Sequence, residues 1–304
     1  METEPGRAEQ RLRGLVLATI TSVLWGTVPV AGKIALGGMS APLLSVLRLL
    51  LAGLVLAALL GRSRFRSGMR PSRLVALAAL GLGANYVFYM WGLEHAGAGT
   101  SQVLIQTAPL FLILLGIFVL GERPSPWEWA GIAGATFGVL LVSWEETSEL
   151  SGSALGIGLV LVSALTWAVY AVAHKRLGRD HASGGTMCWI FLLSAVVVAP
   201  TVPFAPVRSA DPAQVAAIVF LCVNTFVAYW CFAEALRHIP ATTAAVLATL
   251  GPAITFGLLA FTNRMDQDYV PYEEITAVKI GGAVLVVGGV VLAVVLPRRD
   301  RDAH

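Results

Sequence analysis

The stretch Tyr86-Val-Phe-Tyr-Met-Trp-Gly-Leu93, followed by Ala98, Thr100, Val103 and Pro109, decides the fold of this chain. Its residue types return in the same order at Tyr229, Leu236, Ala241, Thr243, Val246 and Pro252. Every member is displaced by 143 residues, as from residue 86 to residue 229. Such a fixed offset in an apolar chain indicates a duplicated membrane unit. A unit that crosses the membrane an odd number of times is inverted in its second copy, and the two copies can share a site near the bilayer midplane.

The composition indicates a polytopic membrane protein. Apolar residues make up 57% of the 304 residues and charged residues 13%, whereas a soluble domain has about 45–50% and about 25%. The net charge of +3 does not indicate nucleic-acid binding, because most arginines lie in short loops between apolar runs. Cys188, Cys222 and Cys231 lie within apolar runs and lack metal-ligand spacing, so we expect neither a metal site nor a cofactor.

Ten apolar runs have about the 20 residues needed to cross a hydrocarbon core about 30 Å thick. They are 14–36, 41–60, 72–93, 100–120, 127–143, 154–174, 186–204, 213–236, 241–261 and 275–296. The loops between several of them are very short, so neighbouring helices are antiparallel. We therefore predict an all-α polytopic membrane protein with ten transmembrane helices in two inverted five-helix repeats.

These spans divide the chain into a short series of segments. The predicted segments are an N-terminal tail (1–13), a first five-helix repeat (14–143), an external linker (144–153), a second five-helix repeat (154–296) and a C-terminal tail (297–304). The start of the chain is acidic and its first apolar run is long enough to span, so we expect this run to remain as the first helix.

The basic residues of the loops predict the orientation in the membrane. One alternating set of loops holds sixteen lysines and arginines, and the other set holds two, Arg208 and Arg264. The second set is acidic instead and includes Glu145, Glu146 and Glu149. The sequence thus predicts a multi-pass plasma-membrane protein whose N- and C-terminal tails are both cytoplasmic.

Short motifs in both halves carry a family resemblance. They are Leu24-Trp25-Gly26 with Pro29 and Lys33, Leu47-Arg48, Gly121-Glu122 with Gly131, Gly134 and Gly138, and Ser163-Ala-Leu-Thr-Trp167 with Tyr170 and Lys175. In this order the chain resembles the EamA family of the drug/metabolite transporter superfamily, from residue 14 to residue 296. The resemblance implies ten helices from a duplicated five-helix unit and a cavity lined mainly by helices 1, 3, 4, 6, 8 and 9.

The connection before the last helix departs from the repeat. Residues 262–274 form a connection about seven residues longer than the matching residues 121–126, and it is acidic. Two interpretations remain for it: a solvated surface insertion, or a loop that attracts cations at the outer face.

Polar side chains at membrane depth face protein or water, so each is a candidate for a central site. Helices 3, 4 and 8 supply amides and phenols at helical or repeat-equivalent spacing. The candidates are Asn85, Tyr86, Tyr89, Gln102, Gln106, Asn224 and Tyr229. Each amide either lines the cavity or joins two helices by a hydrogen bond, and the sequence leaves both open.

Two tryptophans at corresponding depths suggest an aromatic wall. Trp25 and Trp167 lie too deep in helices 1 and 6 for an interfacial belt. Together with Tyr86, Tyr89, Tyr170 and Tyr229 they predict a cavity for an amphipathic or cationic organic solute. Plain packing between helices is the alternative.

Three prolines lie inside predicted helices, where a proline removes a backbone donor and kinks the helix. They are Pro29, Pro109 and Pro252. Because Pro109 and Pro252 are repeat equivalents, they predict matched hinges in helices 4 and 9.

Two charged residues are candidate charge partners. Arg48 is the deepest charged residue, and it either holds a substrate carboxylate or pairs with a helix end. Glu234, at the inner end of helix 8, is the nearest candidate for a coupling carboxylate, with an ion pair to Arg237 or to a loop as the ordinary alternative.

These features favour a carrier over other classes of protein. The sequence lacks intramembrane protease motifs and a Walker loop, so an enzyme is the least favoured class. We predict a secondary transporter that moves a small organic metabolite by alternating access, with export of an amino acid or a related amphipathic compound favoured. The alternatives are a uniporter or channel-like facilitator and a drug or quaternary-amine efflux carrier. The predicted partners are a small-molecule substrate and the lipid bilayer, not nucleic acid; a monomer and a homodimer both remain open.

Overall fold

The computed structural model describes residues 4–67, 72–120, 125–149, 153–177, 184–203, 210–265 and 269–301. Every regular element in these ranges is helical, which confirms the predicted all-α fold. The α-helices are α1 (Glu4–Leu36), α2 (Ala41–Ser67), α3 (Arg73–His95), α4 (Ala98–Ile105), α5 (Ala108–Leu120), α6 (Pro126–Glu149), α7 (Ser153–Arg176), α8 (Gly184–Val198), α9 (Pro212–Ala235), α10 (Ala241–Ala248), α11 (Gly251–Thr262) and α12 (Ala277–Arg301). A 3₁₀ turn, Ala199–Thr201, follows α8.

Two of the ten predicted spans are each divided into two shorter helices. Predicted helix 4 consists of α4 and α5, and predicted helix 9 consists of α10 and α11. Within the described ranges, eight helical segments have the length and hydropathy to cross a membrane, and α4 with α5 forms one of them. The other two predicted spans are the divided α10–α11 and α6, which is long enough but includes Glu128 and Glu146.

Contacts between helix ends define two opposite faces of the bundle. At one face, Gly97 donates its main-chain N–H to Glu146 (2.6 Å) and Ala41 donates to Glu94 (3.2 Å). The turns α1–α2, α3–α4 and α6–α7 therefore lie together, and we call this the α4 face because α4 begins there. At the opposite face, called the terminal face, Arg13 of α1 contacts Glu234 near the end of α9 (3.4 Å).

The most extensive helix contacts join one half of the chain to the other. α3 packs on α7 and α1 packs on α9, and these pairs are equivalent when the halves are exchanged; α2–α8 and α6–α12 map onto themselves. Hydrogen bonds join the helices of both equivalent pairs. Asn85 Nδ2 donates to Ser163 O (3.0 Å) between α3 and α7, and Thr21 Oγ1 donates to Ala228 O (3.4 Å) between α1 and α9. The two halves form an inverted repeat, as predicted.

Glycines let α6 and α12 approach closely where they cross. Gly131 faces Gly289 and Gly138 faces Gly282, and a Cβ at any of the four would collide with atoms of the other helix. Gly288 has open space beside it instead. The α6–α12 pair therefore forms a tightly packed scaffold that spans both halves.

A capping box fixes the start of α9. Asp211 Oδ1 accepts hydrogen bonds from the main-chain N–H groups of Ala213 and Gln214 (both 2.9 Å), and Gln214 Oε1 accepts one from Asp211 N (3.1 Å). Pro212 occupies the first turn, where its missing N–H is no loss. The capping box sets the register of α9 and hence the depth of Tyr229.

Candidate substrate cavity

The two divided helices are interrupted at equivalent positions. The residues between α4 and α5 lie 143 residues before those between α10 and α11. At both breaks the chain tightens to 3₁₀ pairing: Gln106 N donates to Val103 O, and its equivalent Thr249 N donates to Val246 O (both 3.2 Å). The α-helices are thus interrupted at the positions of the predicted hinges in helices 4 and 9, and each proline stands in the first turn of the helix that follows.

Each of these prolines frees the main-chain oxygen four residues before it, because it has no N–H to donate. Pro252 frees Ala248 O, and Gln106 Nε2 from the other half donates to that oxygen instead (3.1 Å). Pro109 in the same way leaves Ile105 O without its helical donor. No side chain among the described residues donates to Ile105 O, so this oxygen is an available acceptor in a cavity-lining residue.

A central cavity of about 220 Å³ lies against both breaks. The predicted residues that line it are Trp25, Arg48, Asn85, Tyr86, Tyr89, Gln102, Gln106, Pro109, Trp167 and Tyr229. The other lining residues are Val28, Ile105, Ala108, Phe232, Ala248, Thr249 and Val290. Most come from the helices that the family resemblance implied, while α2 and α12 add Arg48 and Val290.

Arg48 places a buried guanidinium in the cavity wall. The residue is 5% exposed; its Nε donates to Thr225 Oγ1 (3.0 Å), and its guanidinium carbon lies 4.8 Å from the ring centroid of Tyr86. Its Nη1 contacts Met90 Sδ (3.7 Å). In the part of the chain that the structure describes, no carboxylate forms an ion pair with Arg48. A buried cation with free N–H groups and no counter-ion is suited to bind an anionic group.

Aromatic rings form the wall on the side of α1 and α9. The ring centroids of Trp25 and Tyr229 are 6.1 Å apart in an edge-on arrangement, and those of Trp25 and Phe232 are 5.2 Å apart. Phe191 supports Tyr229 from behind at 5.5 Å. These separations are typical of aromatic pairs that stabilise each other, so the wall is preorganised for an apolar group.

Five predicted residues lie outside the cavity lining: Pro29, Tyr170, Asn224, Glu234 and Pro252. Tyr170 packs behind Trp167, and its hydroxyl contacts Met187 Sδ (3.5 Å). Asn224 Nδ2 donates to Leu24 O (2.8 Å), so this amide joins α9 to α1. Asn85 both joins α3 to α7 and lines the cavity.

Glu234 forms ion pairs at the terminal face. Its carboxylate contacts Arg237 (3.0 Å), His238 (3.2 Å) and Arg13 (3.4 Å). These contacts correspond to the ordinary alternative in the sequence analysis, an ion pair with Arg237 or another group nearby. The Glu234 carboxylate is therefore paired with these residues and lies outside the cavity lining.

The sequence analysis did not name some cavity residues, although the sequence pattern indicated two of them. Thr249 is the repeat equivalent of Gln106, so the 143-residue offset pointed to it. The availability of Ile105 O follows from the proline four residues later. Phe232 lies one turn beyond Tyr229 and offered no signal beyond its helical spacing.

The sequence analysis also did not identify three buried charged residues at the α4 face. Glu146 was placed in an external linker, but α6 continues past residue 143 through Glu149 and buries Glu146 completely. Glu273 in the lengthened connection is buried, while Glu274 is exposed, so the connection is more than a solvated insertion. Lys279 is buried in the first turn of α12; a lysine among apolar residues there signalled a carboxylate partner. In the described ranges, no group of His, Cys, Asp and Glu is arranged to hold a metal ion.

Inverted halves, helices broken at mid-depth and a central cavity together define a membrane transporter. The model of the EamA-like transporter family matches the chain twice, at residues 12–144 and 154–295. The chain belongs to this family, within the drug/metabolite transporter superfamily, as its sequence motifs indicated. It is a transporter and not an enzyme.

Bacterial relatives cover nearly the whole chain. "Uncharacterized inner membrane transporter YhbE" of Escherichia coli strain K12 is 26% identical over 288 residues, which cover 91% of this chain and 89% of that protein. "Probable amino-acid metabolite efflux pump" of the same strain is 26% identical over 296 residues, with 92% and 94% covered. A solved crystal structure that is 21% identical superimposes with a TM-score of 0.66 over 95% of this chain and 99% of its own, which shows a shared fold.

The protein is therefore a multi-pass transporter of the inner (plasma) membrane. Its environment is the lipid bilayer and its substrate is a small molecule.

Proposed function

We propose that this protein is a secondary transporter that exports an amino acid or a related amphipathic compound by alternating access. One observation carries the proposal. A buried guanidinium without a counter-ion, Arg48 of α2, and the residue whose main-chain oxygen is freed at the first helix break, Ile105, line the same cavity. An amino acid has a carboxylate for the first group and an ammonium for the second.

Arg48 is the group that would bind the carboxylate. Its Nε is occupied by Thr225 Oγ1, which leaves the terminal N–H groups of the fork for the substrate. The face of the Tyr86 ring holds the guanidinium in place. A guanidinium that is already ordered and desolvated loses little freedom when a carboxylate binds.

Oxygen atoms at the first break would bind the ammonium. Ile105 O lacks its helical donor because residue 109 is a proline. Gln102 and Gln106 line the cavity beside it, and each side-chain amide has an oxygen that accepts hydrogen bonds. A desolvated ammonium requires such acceptors, since it has three donors and no acceptor of its own.

The aromatic wall would receive the apolar side chain of the substrate. Trp25, Tyr229 and Phe232 form one surface, and Trp167 lines the cavity from α7. The volume of about 220 Å³ is below the about 300–1,000 Å³ of sites for drug-sized ligands. The site therefore suits a small metabolite better than a bulky drug.

Export is the favoured direction because a relative that matches along nearly its whole length is named an amino-acid metabolite efflux pump. A quaternary-amine carrier is the second candidate, since aromatic rings bind such cations. Arg48 argues against it, because a buried positive charge in the cavity wall repels a cationic substrate.

Counterflow in proteoliposomes that contain only this protein tests the proposal. Vesicles loaded with unlabelled phenylalanine, leucine or methionine are diluted into the same labelled amino acid, with a quaternary amine as a parallel substrate. We expect saturable uptake of at least one amino acid that depends on the internal load. Flux that rises linearly with concentration would indicate a channel, and flux of the quaternary amine alone would favour the second candidate.

A further inference from the structure

A cluster of buried charges closes the α4 face around the start of α4. Glu146 of α6 is fully buried. Its Oε1 accepts a hydrogen bond from Gly97 N, and its Oε2 accepts one from Thr100 Oγ1 (both 2.6 Å). Lys279 of α12, 1% exposed, places its Nζ 3.5 Å from Glu146 Oε2.

Glu273 reaches the same helix start from the connection between α11 and α12. Its Oε2 accepts from Gly99 N (3.0 Å) and its Oε1 from Thr100 N (3.3 Å), and Lys279 Nζ lies 3.8 Å from Oε1. A Cβ at Gly97 or Gly99 would lie 2.6–2.8 Å from the Glu273 carboxylate group. The two glycines therefore make the room that this carboxylate occupies.

The cluster joins the two halves of the protein. Thr100 and Glu146 belong to the first half, whereas Glu273 and Lys279 belong to the second. Gln102 lines the cavity only two residues after Thr100. An opening of the cavity toward the α4 face that moves the start of α4 would separate it from Glu273 and Lys279.

Apolar residues pack closely around this cluster. Met90, Leu93, Ala96 and Ala98 are each 0–1% exposed, and they lie at the end of α3, in the turn that follows it and at the start of α4, next to this face. The charges and the apolar layer thus close the same route.

Energetically, the cluster is suited to an interaction that breaks in every cycle. A buried ion pair gains little net free energy, because desolvation of the charges offsets most of their attraction. Burial raises the pKa of the Glu273 carboxyl, which reflects that desolvation, while Lys279 and the N–H groups of Gly99 and Thr100 act in the opposite direction. Lys33 adds a second positive charge within electrostatic reach of both carboxylates. Opening would return these charges to water, and their hydration would compensate for the broken ion pairs and hydrogen bonds.

The ion pairs described at the terminal face are of a different kind. Arg13 and Arg237 pair there with Glu234, and their side chains are 62% and 75% exposed. Exposed pairs of this type contribute little to stability. Glu273 itself stands in the connection that is lengthened relative to the first half, where Glu273 or Glu274 is the candidate counterpart of Glu122.

We propose that Glu146, Glu273 and Lys279 form a charge lock that holds the α4 face closed and releases α4 when the cavity opens to that side. The lock rests on the alternating-access function proposed for the cavity. It assigns a role to the lengthened acidic connection, which brings Glu273 onto the start of α4.

Thiol labelling of Gln102→Cys tests the lock, because residue 102 lines the cavity just beneath it. A membrane-impermeant maleimide is added from the α4 face in oriented vesicles, and the native cysteines are buried. Glu273→Gln and Lys279→Met, each made in the Gln102→Cys protein, should label at least about tenfold faster. The first replaces the charged acceptor of Gly99 N and Thr100 N by a neutral amide, and the second leaves the carboxylates of Glu146 and Glu273 buried without Lys279. Glu274→Gln is the control, because it makes the same change at the next residue, which is exposed. In this variant the introduced thiol should be labelled at the rate of the Gln102→Cys parent.

Lys279→Arg keeps the charge and should keep labelling slow, and gel filtration with thermal unfolding establishes that each variant is folded. Should Glu273→Gln fail to fold, the comparison of Lys279→Met with Lys279→Arg decides. Equal labelling in parent, Glu273→Gln and Lys279→Met would overturn the lock, as would an equal increase in Glu274→Gln. Labelling requires no substrate, so faster labelling without amino acid flux would overturn the proposed substrate and leave the lock standing.

Discussion

The side-chain amide of Gln106 donates a hydrogen bond to the main-chain oxygen of Ala248, with 3.1 Å between Nε2 and O. The first residue follows α4 in one half, and the second ends α10 in the other. Pro252 cannot supply the helical donor for this oxygen, so the break in one half is completed by a side chain from the other. At the two breaks the backbone follows the repeat, but the side chains do not. The residue equivalent to Gln106 is Thr249 and not a second glutamine.

We expect Gln106→Leu to lower both stability and transport. The substitution removes a partly buried hydrogen bond to Ala248 O, a net loss of about 0.5–1.5 kcal/mol. Thr249→Val is the matched control at the equivalent position, because Thr249 Oγ1 bonds only within its own helix, to Val246 O (2.6 Å). Thermal unfolding in detergent and amino acid counterflow measure the two effects. Equal behaviour of the two variants would mean that the contact between the breaks is dispensable.

Arg48→Met should abolish the preference for a carboxylate. In the unmodified protein, phenylalanine is expected to compete for transport at least about tenfold better than phenylalaninamide, since hydrogen bonds to charged groups contribute about 1.5–3 kcal/mol. In Arg48→Met, phenylalanine should lose this advantage, while the inhibition constant of phenylalaninamide should change little. The readout is the ratio of the two inhibition constants in the same vesicles, so a general loss of folded protein cancels. A ratio that stays the same would remove Arg48 from the site.

Gly289→Ala should destabilise the protein, while Gly288→Ala should not. A methyl group at residue 289 would lie 2.7 Å from Ala135 N, so the backbones of α6 and α12 must separate at a cost of about 1–3 kcal/mol. At residue 288 the methyl group meets open space, and alanine favours a helix over glycine by about 0.5–1 kcal/mol. Unfolding midpoints in detergent should therefore move in opposite directions. A parallel shift of both midpoints would contradict close packing at this crossing.

Labelling of two exposed positions tests the predicted orientation. Glu9 near the start of α1 and Tyr272 at the α4 face are both exposed. In intact cells, an impermeant maleimide should label Tyr272→Cys and spare Glu9→Cys, because the basic residues place the terminal face in the cytoplasm. Permeabilised cells should label both. Labelling of Glu9→Cys alone in intact cells would reverse the assignment of the faces.

Most of the architecture could be predicted from the sequence, because bilayer thickness sets the length of apolar runs and loop length sets the direction of neighbouring helices. The repeat anchored at Tyr86 and Tyr229 then predicted the inversion. The breaks could not be predicted in detail. A proline indicates that helical pairing is disturbed, but Pro109 and Pro252 do not show whether the helix bends or stops.

The direction of each side chain was harder to predict than its depth. Asn224 and Asn85 have the same chemistry and similar positions in α9 and α3. Asn224 donates to Leu24 O outside the cavity lining, whereas Asn85 donates to Ser163 O and also lines the cavity. Which neighbour an amide meets depends on how the helices rotate against each other, and the sequence pattern does not record that rotation.

Partners far apart in the chain were the least accessible to sequence analysis. Thr100 and Glu273 are 173 residues apart, and Thr100 and Glu146 are 46 residues apart, yet all three meet in one cluster. Glutamates next to helix ends normally lie in water, and only the packed bundle shows that two of them are buried.

Under the proposed charge lock, the lengthened connection that carries Glu273 would give the substrate-free protein a preferred resting direction. Two identical halves that exchanged conformations would leave the two open states equal in free energy. The connection of residues 262–274 is longer than the corresponding residues 121–126, so under the proposed lock it would remove that equality. With the terminal face in the cytoplasm, as the basic residues predict, the resting protein would then be open to cytoplasmic substrate. Shortening one loop could then reset the direction of the bias while the binding cavity stays unchanged.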